Sequence, residues 1–242
     1  REYSINYLKE NGLDLPWEKA KYSINKGLWG TSVGGDETLT SNLTLPEEAY
    51  PSQLEKEGTE KVVLSFHKGQ LVALNGEKDT SVNNIVKLEE IASKFAIGRD
   101  MHVGDTIIGI KGRVGFEAAA SLVIIKAHHT LEKHTQTKWQ QHWKEQLGNW
   151  YGMMLHEGQY LDEVMRNIEV FLEDTQKQVT GDVIVSLYPY RFIVEGIESD
   201  NDLMNASFGS YGEMNKGWTA DEAKGFIKIL SNSGKIFNHV NK

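Results

Sequence analysis

Hydroxyl and charged side chains in two glycine-bearing stretches are the residues of this sequence best suited to bind a small polar ligand. Ser23, Thr31 and Ser32 lie among aromatic residues and glycines, where a hydroxyl offers one hydrogen-bond donor and two acceptor lone pairs. Arg113 and Glu117 follow closely spaced glycines, a placement that can aim charged groups into a cleft. Local turn bonding and surface ion pairing are the alternatives. These residues alone do not name a function.

Glycine is abundant, but the 23 glycines form no phosphate-binding signature. The sequence contains no Gly-x-x-x-x-Gly-Lys-Ser/Thr motif, no Gly-x-Gly-x-x-Gly motif after a strand and no Ser-Gly-Gly loop. Gly109, Gly112 and Gly115 recur every three residues, and we interpret them as tight turns and close backbone approaches. No nucleotide site is therefore predicted in this chain.

Histidine could suggest a metal site. His128, His129, His134, His142 and His156 lack the i, i+4 spacing around a glutamate that helical zinc sites use, and the chain has no cysteine to complete a tetrahedron. The sequence therefore predicts no metal site.

Composition restricts the partners further. Lysine and arginine number 26 against 34 acidic residues, and the resulting charge of −8 repels nucleic acid and anionic membranes. The apolar runs are far shorter than the roughly 20 residues that a membrane helix needs. The absence of cysteine fits a reducing cytoplasm. We predict a cytoplasmic protein that binds neither nucleic acid nor membrane, and the start at Arg1 suggests that the true N-terminus is missing.

The periodicity of the hydrophobic residues predicts the strands and helices that must position these side chains. Alternation predicts strands within 62–66, 71–74, 106–117, 183–187 and 192–194, and an extended segment at 21–35. Apolar residues every three or four positions predict helices within 2–11, 81–98, 118–134, 139–154, 161–172 and 219–234. Hairpins separated by runs of helices indicate an α+β fold, with antiparallel hairpins or a mixed sheet packed against several helices.

Three segments invite more specific predictions. Residues 36–60 show no period and are predicted to be a surface excursion. The tryptophans of the 139–154 helix are interpreted as core or as a subunit interface. The last helix opens with a capping box of Thr219 and Glu222 and carries an apolar stripe, which allows oligomer contacts.

Four stretches of sequence carry a resemblance that no single motif would support. They are KYSINKGLWGTS at 21–32, GRDMHVGDTIIGIKGRVGFEAAA at 98–120, AHHTLE at 127–132 and GEMNKGWTADEAKGFIKI at 212–229. Taken in order along essentially the whole chain, they resemble the C-terminal synthetase domain of the argininosuccinate synthases.

The resemblance implies part of an ATP-dependent ligase of arginine biosynthesis. In that family an N-terminal pyrophosphatase-type domain binds ATP with Mg²⁺, and the domain resembled here completes the citrulline cleft and builds a homotetramer. Residues 1–20 would end a linker from an absent nucleotide domain, 21–215 would form the synthetase domain, and 216–242 would form a C-terminal helical oligomerisation segment.

The family reaction also implies what this chain lacks. ATP activates the ureido oxygen of citrulline as an adenylate with loss of pyrophosphate, and the amine of aspartate then displaces AMP. Such chemistry depends mainly on positioning and charge stabilisation. No catalytic residue is therefore expected in this segment, and alone it is expected to be inactive.

Several citrulline contacts carry over from the family by position. The two serines that hydrogen-bond the amino-acid end of citrulline correspond to Ser23 and Ser32. The arginine and glutamate that flank the substrate tyrosine correspond to Arg113 and Glu117, which with Thr31 are expected to support the site.

Two positions depart from the family pattern. Gly104 and Phe116 stand where many members carry a glutamate and a tyrosine that contact citrulline. Losing a carboxylate that faces an α-ammonium leaves that charge unpaired, which is costly, and glycine also makes room. One hypothesis is a substrate acylated on Nα. The alternative is that another residue, such as Asp105, supplies the missing charge.

Three functions thus remain, in order of preference. The first is the citrulline-binding half of a ligase. The second is a non-catalytic assembly module, favoured by the tryptophan-rich helices and the last helix. The third is a metal-dependent hydrolase that uses the histidines.

Overall fold

The computed structural model describes residues 2–13, 22–214 and 216–242. The chain divides into two compact units, Arg1–Asn201 and Asp202–Lys242. The strands are β1 (Ser23–Gly27), β2 (Gly30–Gly34), β3 (Glu60–His67), β4 (Gln70–Leu74), β5 (Glu77–Lys78), β6 (Arg99–Asp105), β7 (Lys111–Glu117), β8 (Gly181–Tyr188) and β9 (Arg191–Glu198). The helices are α1 (Glu2–Glu10), α2 (Ser81–Ala92), α3 (Ala119–Thr135), α4 (Lys138–His156), α5 (Glu163–Thr175), α6 (Ala220–Leu230) and α7 (Asn232–Val240).

Two antiparallel sheets organise the first unit. Sheet A has the strand order β1-β2-β7-β6, and sheet B has the order β5-β4-β3-β8-β9. Every neighbouring pair in both sheets is antiparallel. The predicted α+β fold is therefore confirmed, with the sheets built from hairpins.

The main core lies between sheet B and the helices α2 and α3. Val62, Leu64 and Phe66 alternate with more exposed residues along β3, so one face of the strand is buried. From the helices, Leu88 and Val123 pack into the same cluster, and each is fully buried. Burying one such side chain stabilises the fold by roughly 1.5–3 kcal/mol. This core is therefore the main source of stability of the first unit.

The 36–60 segment, predicted to be a surface excursion, is irregular and exposed over much of its length, but part of it is buried against sheet A. This segment contains two short 3₁₀ turns, Asp36–Leu39 and Glu47–Ala49. Leu45 and Tyr50 from the segment are buried in a second, smaller core with Val33 of sheet A. The segment has no regular periodicity because it crosses sheet A as irregular chain. It nevertheless covers one face of that sheet.

Two further element predictions need correction. The hairpin predicted within 106–117 begins earlier, because β6 starts at Arg99 and residues 106–110 form the turn, with Gly109 at a φ of +83°. The tryptophans of α4 are not core: Trp139, Trp143 and Trp150 are 62%, 55% and 56% exposed. Their interpretation as an interface remains a prediction.

The second unit is an exposed helical pair. Thr219 caps α6 by accepting a hydrogen bond from the N–H of Glu222, and the Glu222 carboxylate accepts from the Thr219 N–H at 2.8 Å, which confirms the capping box. The break between the helices falls at Ser231, whereas Gly234, where it was predicted, lies inside α7. In the described part of the chain, no helix is long and apolar enough to cross a bilayer.

Candidate functional site

Sheet A presents two chemically different faces. Successive side chains of a strand point to opposite faces and directly paired residues share a face, so the register assigns each position to one side. Val33 and Gly115 lie on a buried side, which we call the covered face, beneath the 36–60 segment. Asp100 and His102 lie on the other side and are exposed. We call this side the open face.

All four positions predicted to contact the substrate lie on the open face. Ser32 of β2 pairs directly with Phe116 of β7, and both are half-buried. Ser23 lies on the same side of β1 and is exposed, and Gly104 lies on the same side of β6. The register therefore brings together, on one surface, residues from all four strands. Their role in binding is a proposal that the placement supports.

Side chains cross the open face in rows that run perpendicular to the strands. His102 and its partner Val114 lie one row beyond Phe116, and the pair of Gly104 and Gly112 lies one row further. The first row is formed by Asn25, Ser32, Phe116 and Asp100, each paired with the next across the sheet. His102 thus stands midway between the two positions that depart from the family pattern.

The ring of His102 borders the space that Gly104 leaves. A Cβ added at Gly104 would lie 3.1 Å from Nε2 of His102 and 3.6 Å from Cδ2 of the same ring. The nearest side chain to this position is therefore an imidazole. The imidazole of His102 can donate a hydrogen bond into this space, whereas the carboxylate of a glutamate at position 104 could only accept one.

Asn25, Asp100 and His102 were not predicted as site residues. Asp100 and His102 could have been identified from the sequence if residues 99–105 had been recognised as a strand, because residues 100, 102 and 104 then share one face. The sequence prediction started that hairpin only at residue 106, because an exposed polar strand has no apolar alternation to reveal it.

The predicted supporting residues Thr31, Arg113 and Glu117 all lie on the covered face. Arg113 donates from Nη1 to the carbonyl oxygens of Glu37, at 3.0 Å, and Thr40, at 2.8 Å. Its guanidinium therefore holds the 36–60 segment against the sheet. These three residues act behind the open face, where they can position strands but cannot touch a ligand lying on it.

Glu117 is the centre of a buried charged cluster on the covered face. Its carboxylate accepts from the Ser52 N–H at 3.2 Å and from the Ser52 hydroxyl at 2.8 Å. Arg99 Nε lies 3.8 Å from this carboxylate, an ionic contact longer than a hydrogen bond. Arg99 also donates to Glu47 at 2.6 Å and to the Ser52 carbonyl, and its guanidinium stacks over the ring of Tyr50. The cluster joins the first residue of β6 to the last residue of β7.

Asp105, suggested as a substitute for the missing carboxylate, is placed unfavourably for that role. It lies one residue after Gly104, so it belongs to the covered-face side of β6. Its carboxylate forms an ion pair with Lys111, the residue directly across the hairpin. The structure therefore gives no support to the idea that Asp105 faces the ligand beside Gly104.

Close backbone contacts fix sheet A on the N-terminus of α3. Gly98, at a φ of +83°, lies so near Ala118 that an added Cβ would meet the Ala118 carbonyl at 2.8 Å. The Ala118 N–H donates to the Gly98 carbonyl at 3.0 Å, and the Ser121 hydroxyl donates to the Trp29 carbonyl in the β1–β2 turn. Both hairpins of sheet A are therefore seated on the same helix end.

His128, one of the histidines considered as a metal ligand, takes part in a structural cluster. His128 Nδ1 lies 3.7 Å from the buried carboxylate of Glu132, which accepts from Lys144 at 2.7 Å and from Gln176 at 2.9 Å. Burial lowers the pKa of His128 below its ordinary value. Among the described residues, no three histidine, aspartate or glutamate side chains are grouped so that they could hold a metal ion. This cluster joins α3 to α4 and to the chain that follows α5.

Comparison with known proteins gives a consistent match. The family model described as the arginosuccinate synthase C-terminal domain matches residues 22–237. An argininosuccinate synthase of Pyrococcus furiosus is 34% identical over 236 residues, covering 95% of this chain and 56% of that protein. The enzyme of the same name from Methanocaldococcus jannaschii is 35% identical over 216 residues, covering 88% and 55%.

A bacterial relative extends the match to the full chain. The argininosuccinate synthase of Xanthomonas campestris pv. campestris is 30% identical over 250 aligned residues, which cover 100% of this chain and 61% of that protein. The chain thus spans a little more than half of the length of the curated relatives that it matches.

Proposed function

Because this chain belongs to the argininosuccinate synthase family through the C-terminal domain of that family, we propose that it is the substrate-side part of such a ligase. In this proposal the complete enzyme joins citrulline, or an Nα-acylated citrulline, to aspartate with conversion of ATP to AMP and pyrophosphate. The absence of cysteine fits a reducing compartment, so we place the enzyme in the cytoplasm.

One observation carries this proposal more than any other. Ser23, Ser32, Gly104 and Phe116, matched to citrulline contacts by sequence alone, fall on the same face of one sheet although they come from four different strands. Alternation gives each residue two possible faces, so an unrelated set would be divided between them. A shared face is what a common ligand requires.

The open face needs a second layer before it can support the reaction. Ser23, Asn25, Asp100 and His102 are exposed, and a reactive adenylate must be kept from water. We assign that covering layer, together with ATP and Mg²⁺, to the nucleotide domain of the complete protein. Residues 1–20 would then connect the two parts, although residues 14–21, where this boundary falls, lie outside the described part of the chain. The segment alone is expected to have no ligase activity.

Two glycines beside sheet A lack the space that a phosphate group would need. The space beside Gly98 is filled by the backbone of Ala118, and that beside Gly30 is filled by the Ala118 side chain. Gly109 lies in the exposed turn between β6 and β7. We therefore assign no nucleotide-dependent step to these residues.

An Nα-acylated citrulline suits position 104 better than citrulline itself. At position 104 there is no carboxylate to pair with an ammonium, and Asp105 is turned away and bound to Lys111. An acyl group removes the ammonium charge and occupies the space that glycine leaves. Free citrulline would leave its charge unpaired at this position, which is unfavourable in a closed site.

Replacing Ser23 or Ser32 by alanine should raise the KM of the complete enzyme about five- to tenfold for its ureido substrate. Each change removes a hydrogen bond of about 1 kcal/mol without disturbing the strand pairing, which uses only the backbone. Steady-state release of pyrophosphate with citrulline, acetylcitrulline and succinylcitrulline as substrates measures this effect. It also shows which of the three compounds is preferred.

Ser41→Ala is the matched control, because Ser41 is an exposed serine in the segment beneath the other face. Its kinetics should equal those of the unmodified enzyme. Unchanged kinetics in both the Ser23 and Ser32 variants would exclude the open face as the citrulline site.

The second unit supports an additional role in assembly. Five apolar side chains of the two helices are about two-thirds exposed: Phe226 (64%), Ile227 (63%) and Leu230 (65%) of α6, and Ile236 (64%) and Phe237 (67%) of α7. Such a set of neighbouring apolar side chains marks an interaction surface. We propose that residues 216–242 form oligomer contacts, with a homotetramer as the assembled state.

A charge placed on this surface should dissociate the oligomer. Ile227→Asp combined with Phe237→Asp is expected to convert the assembled protein into smaller species in sedimentation velocity experiments, because each carboxylate would be buried at the contact. Lys224→Asp introduces a carboxylate on the same helix outside the apolar stripe and should leave the sedimentation coefficient unchanged. Equal coefficients for all three proteins would rule out this surface as the oligomer contact.

A further inference from the structure

His102 occupies the part of the open face on which the two departures from the family pattern converge. Its row lies between that of Phe116 and that of Gly104 on adjacent strands. Residues two apart along a strand are separated by roughly 6.5–7 Å, so a group lying over His102 can reach both positions. The side chain is exposed, and its Nε2 edge faces the space above Gly104.

We infer that His102 is the specificity-determining residue for the Nα-acyl group, with its ring N–H donating a hydrogen bond to the acyl carbonyl oxygen. This inference rests on the proposed function and adds to it the residue that recognises the acyl group. An α-ammonium is a donor and requires an acceptor such as a glutamate carboxylate. An acyl carbonyl is an acceptor and requires a donor, which an imidazole can supply.

Compared with the family pattern, this part of the surface therefore offers a hydrogen-bond donor in place of an acceptor, and it also has more space. Glycine at position 104 removes an acceptor and creates space, and histidine at position 102 supplies a donor at the edge of that space. Either change alone would leave a ligand group without a partner. Together they fit a carbonyl that projects from the α-nitrogen, which is shared by acetylcitrulline and succinylcitrulline.

Asp100 is the group on this face that could support the opposite preference. Its carboxylate is exposed, lies in the row of Ser32 and Phe116, and accepts a hydrogen bond from the Met101 N–H at 2.7 Å through Oδ1. A carboxylate there could pair with the ammonium of free citrulline. Asp100→Asn thus provides a variant for which the two possibilities predict different results.

The test measures kcat/KM of the complete enzyme for citrulline, acetylcitrulline and succinylcitrulline. His102→Leu should lower kcat/KM for both acylated compounds about five- to tenfold, the value of one lost hydrogen bond. The ratio of kcat/KM for acylated over free citrulline should therefore fall, because free citrulline has no acyl carbonyl to lose this hydrogen bond. His102→Gln keeps an N–H donor and should retain most of the acyl preference. His67→Leu, at the exposed end of β3 in sheet B, is the matched control.

The ratio of acylated to free substrate separates recognition from a structural defect, because a misfolded fraction lowers all three values by the same factor. An unchanged ratio in His102→Leu would overturn the inference. So would a preference for free citrulline that is lost in Asp100→Asn. If Ser32→Ala also has no effect on any substrate, the proposed function itself fails. If Ser32→Ala impairs the enzyme while His102→Leu does not alter the ratio, only the role of His102 is lost.

Discussion

Replacing Glu117 by alanine is expected to lower the free energy of unfolding of the first unit by about 3–5 kcal/mol, the usual cost of removing one partner from a buried charged cluster. Only 7% of the Glu117 side chain and 9% of the Arg99 side chain are exposed. Without the carboxylate, the Ser52 N–H and hydroxyl lose their acceptor, and the Arg99 guanidinium depends more on the partly exposed Glu47 as a counter-ion. Urea denaturation followed by tryptophan fluorescence measures the change.

A second ion pair of the same hairpin provides the control. Asp105 and Lys111 are 81% and 67% exposed, and a pair in water contributes between 0 and about 1 kcal/mol. Asp105→Asn should therefore shift stability by less than about 1 kcal/mol. If Glu117→Ala and Asp105→Asn gave similar small shifts, the cluster around Arg99 would not be what holds the 36–60 segment to sheet A.

Introducing glutamate at position 104 is expected to change the ratio of kcat/KM for free over acylated citrulline by about 100-fold in favour of the free amino acid. A charge-assisted hydrogen bond to the ammonium contributes about 1.5–3 kcal/mol, and each 1.4 kcal/mol is a factor of ten. The longer side chain also fills the space required by the acyl group. Its Cβ meets only the edge of the His102 ring at 3.1 Å, a contact that the exposed ring can relieve by rotating.

Gly104→Gln is the matched variant, because glutamine has the size of glutamate without its charge. It should weaken the use of acylated citrulline as strongly as glutamate does but should gain little for free citrulline. Steady-state kinetics of the complete enzyme on both compounds distinguish space from charge. A wild-type enzyme that already prefers free citrulline tenfold would contradict the acyl proposal.

Much of the scaffold was predictable because its signals are local. Val62, Leu64 and Phe66 alternate because one side of β3 faces α3, and the hairpins of sheet B follow from such alternation. The capping box of Thr219 and Glu222 is likewise contained within four residues. The burial of Leu45 and Tyr50 within the 36–60 segment was not predicted, because irregular chain that crosses a sheet imposes no period on the sequence.

Four of the residues that we propose for the site came from the sequence, whereas their arrangement in space did not. Ser23 and Ser32 came from resemblance to a family, and their common face with Phe116 and Gly104 came from strand register, which joins parts of the chain far apart in sequence. The resemblance indicated that Arg113 and Glu117 matter, but only the register shows that they lie on the opposite side of the sheet from the open face. Long-range pairing is the information that a linear pattern lacks.

The strand order of sheet A also has a consequence for how the protein is made. The β1–β2 hairpin ends at Gly34, but its neighbour β7 begins only at Lys111, and the first strands of sheet B and α2 are synthesised in between. The ribosome must therefore release much of the first unit before the edge of β2 finds its partner. Pairing between such distant segments slows folding and leaves a strand edge available to other chains in the meantime. The surface on which we place the substrate is therefore a product of delayed pairing: β1 and β2 must wait for β7, and β3 of sheet B waits longer still for β8.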